Sequence, residues 1–153
     1  MSHFAVIVIG ENWEKQLAPY SEELQIEPYL DEDGEETSYN PKSRWDWYVI
    51  GGRWTGYFPL KNGTKGIIGR PGILTKPSMP GFADQARFCD IQEGEIKTPF
   101  AFVKEGKWYE RGEMGWWACV SDEKPMDEWE AEFRRMLITL SEDTLLTLVD
   151  CHI

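Results

Sequence analysis

His3-Phe4-Ala5-Val6-Ile7-Val8-Ile9, closed by Gly10, is the stretch on which the fold turns. It is a short unbroken apolar run rich in β-branched residues, the pattern of a buried strand. The far end of the chain repeats it, and Thr144-Leu145-Leu146-Thr147-Leu148-Val149-Asp150-Cys151-His152-Ile153 reads as the last strand. Runs this apolar belong in or near the centre of a sheet, so the two are expected to be adjacent and antiparallel, with Ile7 and Val149 in one sheet.

Between these ends the pattern alternates. Asn12 caps a short helix with Trp13 and Leu17 on one side, ending before Pro19. Phe100-Ala101-Phe102-Val103, the turn pair Glu105-Gly106 and Lys107-Trp108-Tyr109 read as a β-hairpin, and Trp116 to Val120 as a further strand. After Pro125, Asp127 with Glu130 three residues later predicts a capping box, opening a helix whose apolar stripe is Trp129, Phe133, Met136, Leu137 and Leu140. The helix from Asp127 is expected to cover the sheet. The order implies an α+β fold: a mostly antiparallel sheet with two helices on one face and a long irregular Gly-rich middle insertion. A split βαβ, ferredoxin-like arrangement is the leading topology.

A chain of 153 residues fits a single domain over 1–153. With 41% hydrophobic and 14% aromatic residues, including 8 Trp, it is not intrinsically disordered. The formal charge of -11 disfavours direct nucleic-acid binding and attraction to anionic membranes. Cys89, Cys119 and Cys151 are odd in number and lack Cys-x-x-Cys spacing, so a disulfide framework or zinc knuckle is not expected, and they read as buried small hydrophobes. Phe4 to Ile9 is too short for a signal peptide's apolar region, and no other run approaches the ~20 apolar residues of a membrane span, which implies a soluble, cytoplasmic protein. Assembly into a homo-oligomer stays open.

Charge is distributed unevenly. Ser21 to Ser38 carries eight carboxylates and no Lys or Arg, and reads as a solvated loop; Asp31-Glu32-Asp33-Gly34 does not complete a calcium loop. Between Asp46 and Asp84 there is no carboxylate, while Arg53, Lys61, Lys65, Arg70 and Lys76 give +5 and leave -16 for the rest of the chain. The same segment holds eight of the 14 glycines. Glycines let backbone N–H groups approach a ligand, and the local positive charge favours an anion. Arg44, Trp47, Tyr48, Arg53 and Trp54, with Lys61, Lys65 and Arg70, are therefore the candidate partners of a nucleotide-like small molecule, arginines for phosphate and aromatics for stacking or pocket walls. The alternative is that the tryptophans are core and the glycines mark turns, since neither a Walker loop nor a Gly-x-Gly-x-x-Gly pattern is present.

The only histidines are His3 and His152, near the start of the first strand and the end of the last. Antiparallel pairing would bring them together, and Asp150 shares a strand face with His152. Two imidazoles and a carboxylate are a candidate catalytic set, acting as general acid and base on a phosphodiester or as part of a metal site; structural hydrogen bonding is the favoured alternative. No metal and no cofactor is expected.

The opening Met1-Ser2-His3-Phe4, the central Trp45-Asp46-Trp47-Tyr48-Val49-Ile50-Gly51-Gly52-Arg53-Trp54 and the closing Val149-Asp150-Cys151-His152-Ile153 resemble an uncharacterised family of small proteins encoded by bacteriophages and some bacteria. The resemblance implies context and transfers no site residues: small phage proteins of this kind often counter host defences by binding or degrading a nucleotide immune signal, or by blocking a host protein. Three functions follow as expectations, with binding favoured over catalysis. The first is capture of an anionic nucleotide-like molecule, sequestering an immune signal. The second is a small metal-independent phosphodiesterase using His3 and His152. The third is an acidic inhibitor that mimics DNA through Glu22 to Glu36.

Overall fold

The computed structural model describes residues 2–64, 81–115 and 119–153. In chain order these form β1 (His3–Ile9), α1 (Trp13–Leu17), β2 (Tyr29–Leu30), β3 (Glu36–Thr37), β4 (Trp47–Ile50), β5 (Phe58–Pro59) and β6 (Phe82–Ala83). They continue as β7 (Gln85–Arg87), β8 (Ala101–Lys104), β9 (Lys107–Glu110), β10 (Glu113–Met114), β11 (Val120–Ser121), α2 (Met126–Ile138) and β12 (Leu145–His152). The expected α+β class holds, with a mixed, mostly antiparallel sheet and two helices among the described residues.

The main sheet has the order β4-β12-β1-β8-β9. β1 and β12 are antiparallel neighbours, with Val6 opposite Val149 and Ile7 opposite Leu148, as the two apolar runs require. The other edge of β12 is shared by β4, along Val149 to His152, and β7, along Leu145 to Thr147. All eight residues of β12 are buried. β7 is a strand the sequence does not announce, because Gln85-Ala86-Arg87 is too short and too polar to show a period.

The hairpin forms as expected. Glu105 and Gly106 both take positive φ, 53° and 77°, the requirement of a two-residue primed turn joining β8 to β9. β8 bonds directly to β1 in parallel. The split βαβ order would place another strand between those two, so the sheet departs from a ferredoxin-like order at this point. The outer edge of β9 is blunted where Trp108 donates its backbone N–H to the Tyr20 hydroxyl at 3.1 Å.

The two helices lie on opposite faces of the sheet, where the sequence pattern placed both on one. Ile7, Ile9, Leu146, Leu148 and Phe102 pack under Trp129, Phe133, Met136 and Leu137 of α2. Phe4, Val6, Val8, Val103, Val149 and Cys151 pack on the other side with Leu17 and Trp13 of α1 and with Trp45, Tyr48 and Trp108. The physical reason is β1 itself: Val6, Ile7 and Val8 alternate faces and are all fully buried, so each face needs its own cover.

α2 also starts earlier than the capping box predicted. Its N-cap is Pro125, and the Asp127 carboxylate accepts only the neighbouring Glu128 N–H, at 3.0 Å, from inside the first turn. There it faces the positive end of the helix dipole and acts by charge. At α1, Asn12 holds the N-cap position but its side chain accepts from Gln16 Nε2 at 2.9 Å instead of capping the backbone.

The cysteine expectation holds for Cys151 alone. Cys151 is buried on β12, whereas Cys89 lies in the surface 3₁₀ turn Phe88–Asp90 and Cys119 beside β11, both exposed. Burial, with the adjacent Asp150 charge, holds the Cys151 thiol well above the usual range. In the acidic stretch, β2 and β3 pair as a two-stranded hairpin, and Asp31 Oδ1 accepts the backbone N–H groups of Asp33 and Glu35 at 3.0 and 2.9 Å. Among the described residues no helix is long and apolar enough to cross a membrane. Lys65, Arg70, Lys76 and most of the Trp116 to Val120 strand lie outside the described residues.

Candidate functional site

Strand register builds the site. β1 pairing with β12 sets His3 opposite His152, and β12 pairing with β4 sets His152 opposite Trp47. Directly paired residues share a sheet face, so the three rings meet at one end of the face that α2 covers further along. The His3 and His152 ring centroids are 4.9 Å apart. Trp47 stacks on His152 at 5.1 Å.

Each imidazole is held by a carboxylate. His3 Nδ1 lies 2.8 Å from Asp150 Oδ1, and His152 Nδ1 lies 2.5 Å from Asp46 Oδ1. Asp150 is fully buried, a position that costs several kcal/mol for a lone carboxylate. Its second oxygen, Oδ2, accepts the backbone N–H of Arg53 at 3.0 Å, so both oxygens are engaged. Asp46 is tied twice to His152, since its own backbone N–H donates to the His152 carbonyl at 2.8 Å. A carboxylate on Nδ1 favours the neutral tautomer that carries its proton there, which leaves Nε2 as a proton acceptor. Neither Nε2 has a hydrogen-bond partner among the described residues, and the His3 and His152 side chains are only 11% and 6% exposed. Two such imidazoles with centroids 4.9 Å apart can take one proton and give another.

The loop after β4 is shaped by carboxylates from elsewhere in the chain. Gly51 and Gly52 have φ of 73° and 56°, and a Cβ on either would run into Asp84 or Asp150 respectively. Asp84 accepts the Gly56 N–H at 2.6 Å and the Thr55 hydroxyl at 2.7 Å. The stretch from 47 to 83 is thus free of carboxylates in sequence but not in space. Two backbone N–H groups of this Gly-rich stretch, those of Arg53 and Gly56, are engaged by Asp150 and Asp84.

The candidate ligand-binding residues separate. Trp47 stands with the histidines. Arg53 adjoins them through its main chain, and its exposed guanidinium has no hydrogen bond or ion pair among the described residues. Tyr48 points to the opposite face, in edge contact with Trp13 and Trp45. Arg44 donates from Nε to Glu110 at 3.2 Å, and Glu110 also accepts from Trp108 Nε1 at 2.9 Å. Trp54 packs against the core beneath α2, and Lys61 is exposed. Lys65 and Arg70 fall outside the described residues.

Sequence reasoning missed Asp46 and Asp84. Asp46 lies between Trp45 and Trp47, where an isolated carboxylate in an aromatic run was itself a signal. Asp84 carried none, because its partners are 27 to 29 residues away. No protein-family model, no curated protein and no solved structure matches this chain, so the site is read from its own geometry.

Proposed function

We propose that this protein cleaves a phosphodiester bond in a small anionic, nucleotide-like molecule by general acid–base catalysis, with His3 and His152 as the proton-transfer pair. The observation that carries the reading is the paired arrangement: two imidazoles with centroids 4.9 Å apart, each with Nδ1 on a carboxylate and Nε2 unengaged among the described residues. One Nε2 takes the proton of the attacking hydroxyl or water as its oxygen bonds to phosphorus. The other, protonated, gives its proton to the leaving oxygen as the second P–O bond breaks. Because imidazoles supply both transfers, the reaction is metal-independent. Arg53, whose main chain adjoins Asp150 and whose exposed guanidinium has no partner among the described residues, is the cation that would meet the phosphoryl charge. Removal of a nucleotide immune signal is the role such an activity would serve in a phage protein.

His3→Asn and His152→Asn test this. An Asn amide can still donate to the carboxylate where Nδ1 stood but has nothing at the Nε2 position. With cyclic nucleotides and linear dinucleotides as substrates, each variant should keep its melting temperature near wild type and lose on the order of 10²–10⁴-fold in turnover. Turnover by wild type should survive excess EDTA. Variants that turn over as fast as wild type, or a wild type inert on the whole panel, would reject the reading. The exposed Arg53 guanidinium, without a partner among the described residues, supports capture without cleavage as a second reading, and tight, stoichiometric binding by a wild type that releases no product would select it.

A further inference from the structure

The triangle of rings around His152 carries an inference that rests on the acid–base reading and names what the substrate must contain. Trp47 stacks on His152 with 20° between the ring planes. His3 stands nearly perpendicular to Trp47, at 81°, with centroids 5.4 Å apart. A ring on the opposite face of Trp47 would have to lie farther from His152 than Trp47 does. His3 lies nearer, at 4.9 Å against 5.1 Å, so it does not occupy that face. Trp47 has no other ring contact among the described residues, and it is partly exposed. β4, which carries it, pairs with β12 alone among the described strands, so no further strand continues the row His3, His152, Trp47 beyond the indole.

We infer that the outer indole face of Trp47 seats a nucleobase, so that the substrate is a nucleotide whose base extends the stack on His152 while its phosphoryl group lies at the two Nε2 atoms. The chemistry is complementary. An indole is a broad aromatic platform for a flat heterocycle, stacking tolerates any base, and the phosphoryl group meets the imidazoles, with Arg53, whose main chain adjoins them through Asp150, the nearby cation without a partner among the described residues. Of the aromatic residues in the Trp-rich run, only Trp47 is placed to do this, because Tyr48 faces the other core and Trp54 packs beneath α2.

Calorimetry on the full chain, comparing the nucleoside 5′-monophosphates of the four bases with ribose 5-phosphate, isolates the base from the phosphate. At least one nucleotide should bind about ten-fold or more tightly than ribose 5-phosphate, the size of one base–aromatic stack. Trp47→Leu should erase that advantage while leaving ribose 5-phosphate within about two-fold of wild type, and Trp47→Phe should restore most of it. Equal wild-type affinity for nucleotide and ribose 5-phosphate, no binding of either, or a Trp47→Leu loss equal for both would overturn the inference; the wild-type comparison stands even if a variant fails to fold. The two readings fail separately. A base preference without diester turnover rejects the hydrolase and keeps the stacking, while diester turnover without a base preference rejects the stacking and keeps the hydrolase.

Discussion

At the scale of single residues, the molecule places two carboxylates against glycine backbone and lets them organise everything around the histidines. Asp150 can sit fully buried because His3 and the Arg53 N–H satisfy it, and the Arg53 N–H can reach it because Gly52 has no side chain. Gly52→Ala must therefore both hold a left-handed φ of 56° and displace the Asp150 side chain. Gly63→Ala holds a similar φ of 79° with nothing within 4 Å of the new methyl. Backbone strain alone should cost Gly63→Ala roughly 1–2 kcal/mol. Gly52→Ala should cost about 2 kcal/mol more, because it also disturbs a buried charge and its hydrogen bonds. Urea unfolding of the two variants checks the difference, and equal midpoints would mean that Asp150 moves aside freely.

Among the elements, α2 shows how a clear pattern can still mislead at its boundary. The apolar stripe is right for Trp129, Phe133, Met136 and Leu137, while Leu140 falls past the helix end at Ile138 and packs on the same core from the following turn, and Trp129 adds a buried hydrogen bond from Nε1 to the Pro99 carbonyl at 2.7 Å. The start is set by Pro125, whose fixed φ suits the entry to a helix and which has no N–H to leave unsatisfied. Asp127 consequently contributes only charge. Asp127→Ala should lower stability by about 0.3–1 kcal/mol and lose that effect in high salt. Phe133→Ala, which empties a fully buried position between α2 and the sheet, should cost about 3–5 kcal/mol. Thermal or urea denaturation ranks the pair, and a small loss at Phe133 would mean that α2 is not the cover of that core.

Over the whole molecule, β12 is the element on which the rest depends, bonded to β1 on one side and to β4 and β7 on the other. Cys151 sits within it as a built-in reporter: buried, and with a thiol held up by desolvation, it should react only when the sheet opens. Native protein treated with a thiol reagent near neutral pH should label quickly at Cys89 and Cys119 and slowly at Cys151. Denaturant should bring the Cys151 rate up together with the loss of global structure. Rapid native labelling of Cys151 would show that β12 frays separately from the core.

The sequence by itself determined the two buried strands, the hairpin with its Glu105-Gly106 turn and the stripe of α2, because those signals are local: apolar runs, periods and turn residues need no distant partner to be read. It also placed His3 and His152 within reach of each other if the end strands paired antiparallel, while the register that sets them directly opposite came only with the structure. Three things were decided only by tertiary structure. The helices went to opposite faces because β1 needs cover on both sides. The ligand candidates were divided between two faces by their alternation along β4 and by Arg44 pairing with Glu110. The Gly-rich segment, positive in sequence, received Asp84 and Asp150 in space. Hydrogen bonds between residues 28 and 97 positions apart leave no pattern in the chain, and their partners are chosen by packing and by the cost of leaving a buried carboxylate unsatisfied.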